Sequence, residues 1–142
     1  MESNRSMPRS QIIPELAYPD VHAATQWLIE AFGFSVRLRI GSHRAQLEFG
    51  SGALVLRAGP APTAAESACH SIMVRVDDVD AHYARAVAAG AKVFGIPTTH
   101  PYGERQYAAQ DLAGHCWVFS QSVADVPPSE WGGELVSKPD AD

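Results

Sequence analysis

Two stretches of the chain repeat one another, and a repeated supersecondary unit restricts the fold more tightly than composition does. DVHAATQWLIEAFGFSV, residues 20–36, and DVDAHYARAVAAGAKV, residues 78–93, both open on Asp-Val, both place Ala at the fourth position, and both end a helical pattern at glycine. In each copy the Asp is positioned as an N-cap, its carboxylate accepting from the free amides of the first turn. Gly33 and Gly90 then act as C-terminal stops, glycine being the residue that enters the left-handed region without strain. Ala24, Trp27, Leu28 and Ala31 share one face of the first helix, and Val79, Tyr83, Ala86 and Val87 one face of the second, so each helix has a single apolar face to bury.

The flanking segments complete the unit. A strand precedes each helix, IIPELAYP and HSIMVRVD, and three follow: FSVRLRIG, RAQLEFG and ALVLRAG in the first copy, KVFGIP, RQYAAQD and HCWVFSQ in the second. The order is βαβββ twice, an α+β fold in which residues 11–121 form one domain: module one at 11–58, a linker at 59–68 marked by GPAPTAAESA, and module two at 69–121. Residues 1–10 read as a flexible leader and 122–142 as a C-terminal tail in which Trp131 is the one residue suited to docking. Four strands and one helix leave each sheet with a covered face and an open one. Two such modules side by side are expected to curve a mixed sheet around a central cleft.

Length and charge narrow the function classes. The 142 residues suffice for one buried core. Apolar residues at 46% and charged residues at 19% are globular proportions, and no apolar run approaches the ~20 residues that span a bilayer. The opening MESNRSMPRSQ has no apolar stretch after its basic residues, which argues against a secretory signal and for a cytoplasmic location. Two cysteines, Cys69 and Cys116, give no disulfide framework. A formal charge of -5 with scattered Lys and Arg offers no basic stripe for phosphate contacts, so neither nucleic acid nor membrane is an expected partner.

The arrangement resembles the vicinal oxygen chelate superfamily, the glyoxalase, bleomycin-resistance and extradiol dioxygenase group. The likeness is carried by LAYPDVHAATQWLIEAFGF in module one, VRVDDVDAHYARAVAAGAKV in module two and YGERQYAAQDLAGHCWVFS at the end, three pieces in order at the spacing of the repeat. The resemblance implies a cleft lined by both sheets. In the enzymes of the group it also implies a divalent metal, held by His, Glu or Gln from the first and last strands of each module, that polarises a chelating substrate. A homodimer whose clefts draw residues from both chains is implied in the same way.

The positions that the resemblance assigns to metal ligands lack ligand chemistry here. Seven residues before Asp20 stands Ile13, and seven before Asp78 stands Ser71. Seven residues after Asp111 of the DLAG turn stands Val118, and matching Gly52 to Gly114 puts Leu56 at the corresponding place in module one. Taking Asp77 as the reference would bring in His70, but that register turns Ser71, Met73 and Arg75 toward the helix and buries the Arg without a partner. Even then it supplies one ligand where an ion needs about three. CH at 69–70 and HC at 115–116 begin adjacent strands and amount by composition to a Cys₂His₂ zinc set, yet alternation sends each Cys and its neighbouring His to opposite faces. No metal and no other cofactor is expected.

Strand parity directs Ile13, Glu15 and Ala17 into the cleft, with Leu54 and Leu56, Ser71, Met73 and Arg75, Gln106, Ala108 and Gln110, and Cys116, Val118 and Ser120. With Tyr102 of the turn HPYGERQY, the candidate ligand-binding residues are Glu15, Ser71, Met73, Arg75, Tyr102, Gln106, Gln110, Cys116 and Val118. A largely apolar pocket with a few polar groups suits a small apolar or aromatic molecule. Glu15 and Arg75 are expected either to pair or to orient a charged ligand. Arg105 is expected to pair with Glu104 or Asp111, and Tyr102 to lie over the cleft. Trp27, Trp117 and Phe119 are assigned to the core, and His22, His43 and His82 to solvated positions. The function expected is sequestration of a small molecule by a metal-free homodimer of the bleomycin-resistance type. The alternative is a superfamily enzyme of lyase, isomerase or dioxygenase type, with displaced metal ligands or with Glu15 or Tyr102 moving a proton. No catalytic residue is assigned.

Overall fold

The computed structural model describes residues 2–137, and its elements follow the repeat. Module one comprises β1 (Glu15–Tyr18), α1 (Val21–Phe32), β2 (Ser35–Ile40), β3 (Arg44–Phe49) and β4 (Gly52–Ala58). After a short helix α2 (Ala64–Ser67), module two comprises β5 (Ile72–Arg75), α3 (Val79–Ala88), β6 (Lys92–Val93), β7 (Thr98–Thr99), β8 (Glu104–Gln110) and β9 (Cys116–Ser122). Asp20 caps α1 by accepting from the Ala23 amide at 3.0 Å, and Asp78 caps α3 from Ala81 at 3.1 Å. Gly33 ends α1 at φ 83° and Gly90 follows α3 at φ 89°, both left-handed.

Two mixed sheets form, ordered β1-β4-β3-β2 and β5-β9-β8-β6, with β7 also on β8. In each, the first strand runs parallel to the last, pairing Glu15 with Val55 and Met73 with Val118. The two βαβββ modules thus each supply a mixed sheet, with β1 and β5 at sheet edges. Their helix-facing sides share one continuous core. Phe32 of α1 reaches across to Trp117 and Phe119 of β9, at 5.4 and 4.7 Å between ring centroids. Both β9 aromatics are fully buried, and burying each such side chain contributes about 1.5–3 kcal/mol.

Polar side chains join the modules as well. Trp27 Nε1 donates to the Ala89 carbonyl at 3.1 Å, and Arg85 donates to the carbonyls of Glu30 and Ile29. His82, assigned from sequence to solvent, instead lies in this seam, hydrogen bonded to the Tyr107 hydroxyl at 2.6 Å and the Phe32 carbonyl at 2.9 Å. Its place on α3 faces the other module, which sequence periodicity within one helix does not reveal.

Three further segments depart from expectation. KVFGIP is not one strand: Gly95 at φ 94° turns the chain away after Val93, and pairing to β8 resumes only at Thr98–Thr99. The linker contains α2, opened by a capping box in which the Thr63 hydroxyl accepts from the Glu66 amide and the Glu66 carboxylate accepts from the Thr63 amide; the T-x-x-E pattern that signals it is present in the sequence. The leader makes side-chain hydrogen bonds with module one. Gln46 Nε2 donates to the Ser6 carbonyl at 2.8 Å, Arg37 to the Arg5 carbonyl at 3.0 Å, and Ser10 to the Ser51 carbonyl at 2.9 Å.

Parity holds in module two and slips in module one. Ile72, Val74 and Val76 pack toward the helices while Met73 and Arg75 are exposed. In β4, however, Leu54 and Leu56 belong to the core, and Val55, paired with Glu15, takes the opposite face. The β3–β4 hairpin turns through Gly50 and Ser51, whereas β8 and β9 are joined through residues 111–115. Matching glycine to glycine across turns of different length displaces β4 by one residue, and one residue exchanges its faces.

Candidate functional site

The open face of the second sheet carries a groove of about 680 Å³ bounded by Met73, Arg75, Tyr102, Gln106, Ser120 and Trp131, with Glu104 in its floor. Met73 and Arg75 also line a cavity of about 560 Å³ at the seam, whose far wall includes Ile12, Pro14 and Phe49 of module one. The two hollows meet at β5.

The turn before β8 and the C-terminal tail shape one rim. Gly103, at φ 81°, accepts from the amides of Val123 and Ala124 through its carbonyl, so the chain leaving β9 is held against the turn. The tail then brings Trp131 onto Tyr102, their rings 5.8 Å apart at 65°. His100 stacks behind Tyr102 at 5.2 Å and 6°. Tyr102 and Trp131 remain 37% and 40% exposed, and Met73 63%, so the rim presents aromatic and thioether surface to solvent.

Beneath the rim runs a directional chain of hydrogen bonds. The Tyr102 hydroxyl donates to Gln106 Oε1 at 3.2 Å, Gln106 Nε2 donates to Ser120 Oγ at 3.0 Å, and Ser120 donates to Glu104 Oε1 at 2.6 Å. Desolvation pushes the Glu104 carboxyl upward, but hydrogen bonds from Ser120 and Ser122 and the nearby Arg75 charge outweigh it and hold the group below its usual range. Glu104 is therefore an anion at neutral pH. The Arg75 side chain is exposed and makes no hydrogen bond or ion pair among the described residues.

The nine candidate residues divide by location. Met73, Arg75, Tyr102 and Gln106 meet in the groove. Ser71, Cys116 and Val118 line a smaller hollow of about 330 Å³ near the start of β5 and β9, where Gln110 approaches the Cys116 sulfur at 3.8 Å. Glu15 joins neither set. It pairs with Arg44 at 2.7 Å, both groups well exposed, on the open face of the first sheet. The expected Glu15 and Arg75 pair is not formed, because the repeat matches Glu15 to Met73 and puts the two charges on different sheets. Arg105 likewise bonds neither Glu104 nor Asp111 but grips Asp80 in the first turn of α3, at 3.0 and 3.1 Å, and these hydrogen bonds hold the Asp80 carboxyl below its usual range.

Sequence reasoning missed Glu104 and Trp131 as groove residues and left Ser120 out of the candidate set. Glu104 shares the parity of Gln106, and that alternation was the available signal. Trp131 reaches the groove only through the path of the tail, for which the sequence holds no periodic signal.

The residues present do not fit the metal that the resemblance implies. With the β4 register corrected, the four positions read Ile13, Val55, Ser71 and Val118. Cys69 and His70 are exposed, while His115 is buried and donates to the Ala17 carbonyl at 2.7 Å. Among the described residues no three His, Cys, Asp or Glu side chains form a group able to hold an ion. No helix among them is long and apolar enough to cross a membrane.

Comparison with solved structures gives many matches of the same architecture. The crystal structure of TioX from Micromonospora sp. ML1 is 37% identical, covers 80% of this chain and 98% of its own, and superposes with a TM-score of 0.69. The fosfomycin resistance protein FosX from Mesorhizobium loti is 20% identical over 81% of this chain and 93% of its own, at a TM-score of 0.62, a likeness of fold alone. A glyoxalase/bleomycin resistance protein/dioxygenase family enzyme from Burkholderia phytofirmans PsJN shares the fold at 17% identity, 76% and 94% coverage, and a TM-score of 0.63. Comparison with curated proteins finds no match. The family model for the Glyoxalase/Bleomycin resistance protein/Dioxygenase superfamily matches residues 12–119. Because that match runs through both copies of the repeat and the linker between them, the chain belongs to the glyoxalase/bleomycin resistance protein/dioxygenase superfamily.

Proposed function

We propose that this protein binds a small, largely apolar or aromatic molecule in the groove of module two and acts by sequestering it, without a metal and without a covalent step. The observation that carries the reading is an open, aromatic-rimmed groove in a fold whose ion-ligand positions hold Ile13, Val55, Ser71 and Val118. Hydrocarbon side chains offer no lone pair, and a single neutral hydroxyl does not replace the imidazole and carboxylate donors that divalent ions require. The groove volume falls within the ~300–1,000 Å³ usual for drug-sized ligands. Burial of a ring against Tyr102, Trp131 and Met73 supplies affinity by removing apolar area from water, which needs no reaction. A homodimer in the cytoplasm is the setting this reading expects, and light scattering tests the first part.

Thermal-shift screening against aromatic antibiotics and metabolites, with and without a chelator, tests the proposal. A ligand at about 100 times its Kd stabilises the fold by about 2.7 kcal/mol, a rise of roughly 8 °C in Tm for a domain of this size. The expected result is a chelator-independent shift. Stoichiometric Zn, Ni, Mn or Fe retained through chelation, or shifts that appear only with added metal, would overturn it.

A further inference from the structure

We infer that the groove selects planar aromatic carboxylates, with Arg75 as the residue that takes the carboxylate; the inference rests on the ligand-binding reading above. Donors and acceptors in the groove lead to it. The hydroxyl protons of Tyr102 and Ser120 are committed within the floor, to Gln106 and to Glu104. Trp131 Nε1 is committed to the Val126 carbonyl at 3.0 Å, so its ring offers the groove only apolar surface. The strongest donor set left free is the Arg75 guanidinium, exposed and without a hydrogen bond or ion pair among the described residues. Glu104 is near enough for its charge to be felt, yet it accepts from Ser120 and forms no ion pair with Arg75.

A guanidinium presents parallel N–H bonds in a plane, and its best complement is a planar anion with two oxygens. The rim asks for a second property. Tyr102 and Trp131 meet edge to face, Tyr102 is braced by the parallel His100 ring, and the flexible Met73 side chain stands exposed on β5, lining the same groove. Rigid rings beside a thioether favour a flat apolar body. A flat body carrying one carboxylate satisfies both features.

The test uses 2-naphthoate and its neutral analogue 2-naphthamide as probes of the full-length protein. Trp117 is fully buried, Trp27 is partly buried, and Trp131 is the exposed tryptophan, so protection from acrylamide quenching reports occupancy of the groove, and calorimetry gives the affinity. Naphthoate is expected to protect Trp131 and to bind about tenfold more tightly than naphthamide. Arg75→Gln is expected to bring the affinities for the two probes to within about twofold of one another, and Arg75→Lys to restore part of the preference. Arg75 is exposed, so the thermal midpoint of Arg75→Gln is expected to stay within about 2 °C of wild type. Equal affinity for the two probes, or a preference that survives in Arg75→Gln, overturns the inference and leaves the binding reading standing. Failure of both probes to bind or to protect Trp131 counts against both.

Discussion

Removing the Tyr18 hydroxyl asks whether a buried, charge-assisted hydrogen bond joins the two modules. Tyr18, 1% exposed, donates to Asp111 Oδ2 at 2.5 Å from 93 positions away in the chain. Trp117 Nε1 donates to the same oxygen at 3.1 Å, and the amides of Ala113, Gly114 and His115 donate to the other at 3.0, 3.1 and 3.0 Å. Asp111 is itself buried, and of these donors Tyr18 alone comes from module one. Burial first, and the Asp111 charge and hydrogen bond with it, push the Tyr18 phenol far above its usual pKa, so the group remains a donor throughout the folded range. Tyr18→Phe keeps the ring and its edge contact with His115 at 4.8 Å. It deletes one hydrogen bond to a charged acceptor, worth about 1.5–3 kcal/mol, which lowers Tm by about 5–9 °C at the slope expected for a domain of this length. Urea melts read the loss as a lower midpoint at unchanged m-value, constant between about pH 6 and pH 9 because the phenol does not titrate there. A loss under about 0.5 kcal/mol, the range of a neutral surface change, refutes the role given to this bond.

His82 and Gly103 give two more tests. His82 Nε2 donates to the Phe32 carbonyl, and Nδ1 lies 2.6 Å from the Tyr107 hydroxyl. Burial, with the Arg85 charge adding to it against the opposing Phe32 hydrogen bond, lowers the His82 pKa. The unfolded chain therefore takes up the proton first, near pH 6.5; the stability is fully present above that pH and is lost as pH falls through the folded pKa. Thermal midpoints measured from about pH 8 down to pH 5 are expected to fall more steeply for wild type than for His82→Gln, and parallel curves would refute the assignment. At Gly103, a Cβ would stand 2.0 Å from the Ala124 carbonyl oxygen, with φ already at 81°. Gly103→Ala is expected to cost about 1–3 kcal/mol and to raise acrylamide quenching of Trp131 as the tail lifts, and unchanged quenching would show that the tail is anchored elsewhere.

What the sequence disclosed is what local physics writes into it. The Asp caps at 20 and 78, the glycine stops and the apolar face of α1 depend on residues a few positions apart, and the structure has them as read; on α3 Val79 and Ala86 are buried and Tyr83 is half-buried, but Val87, read onto the same face, is exposed. Parity in β5 was legible because Ile72, Val74 and Val76 alternate with Ser71, Arg75 and Asp77, Met73 being the one apolar residue on the open face. In β4 the run ALVLRAG is apolar on both faces, so no alternation marks which side is in. Partner choice was the least legible property. Arg105 and Asp80, or His82 and Phe32, meet because elements distant in sequence pack together, and each residue by itself reads as an ordinary surface group.

The repeat also concealed an asymmetry that decides where the groove lies. By strand pairing, Arg44 and Gln106 occupy matching places, as do Ala17 and Arg75, so two equivalent open faces would be expected of a duplicated fold. On the first sheet, Arg44 is drawn to Glu15, and Gln46 is buried between the Arg37 guanidinium at 2.6 Å and the Ser6 carbonyl of the leader. Glu15, Arg44 and Gln46 are thus partnered within the chain, while Arg57 on the same face is exposed and makes no side-chain hydrogen bond or ion pair among the described residues. On the second sheet Met73 stands where the first has Glu15 and Arg75 where it has Ala17; both are exposed, and Trp131 of the tail packs on Tyr102 at the rim. Duplication supplied two walls. Each open face keeps one exposed arginine, Arg57 on the first and Arg75 on the second, and only on the second does the cation share a groove with an aromatic edge, that of Tyr102 and Trp131.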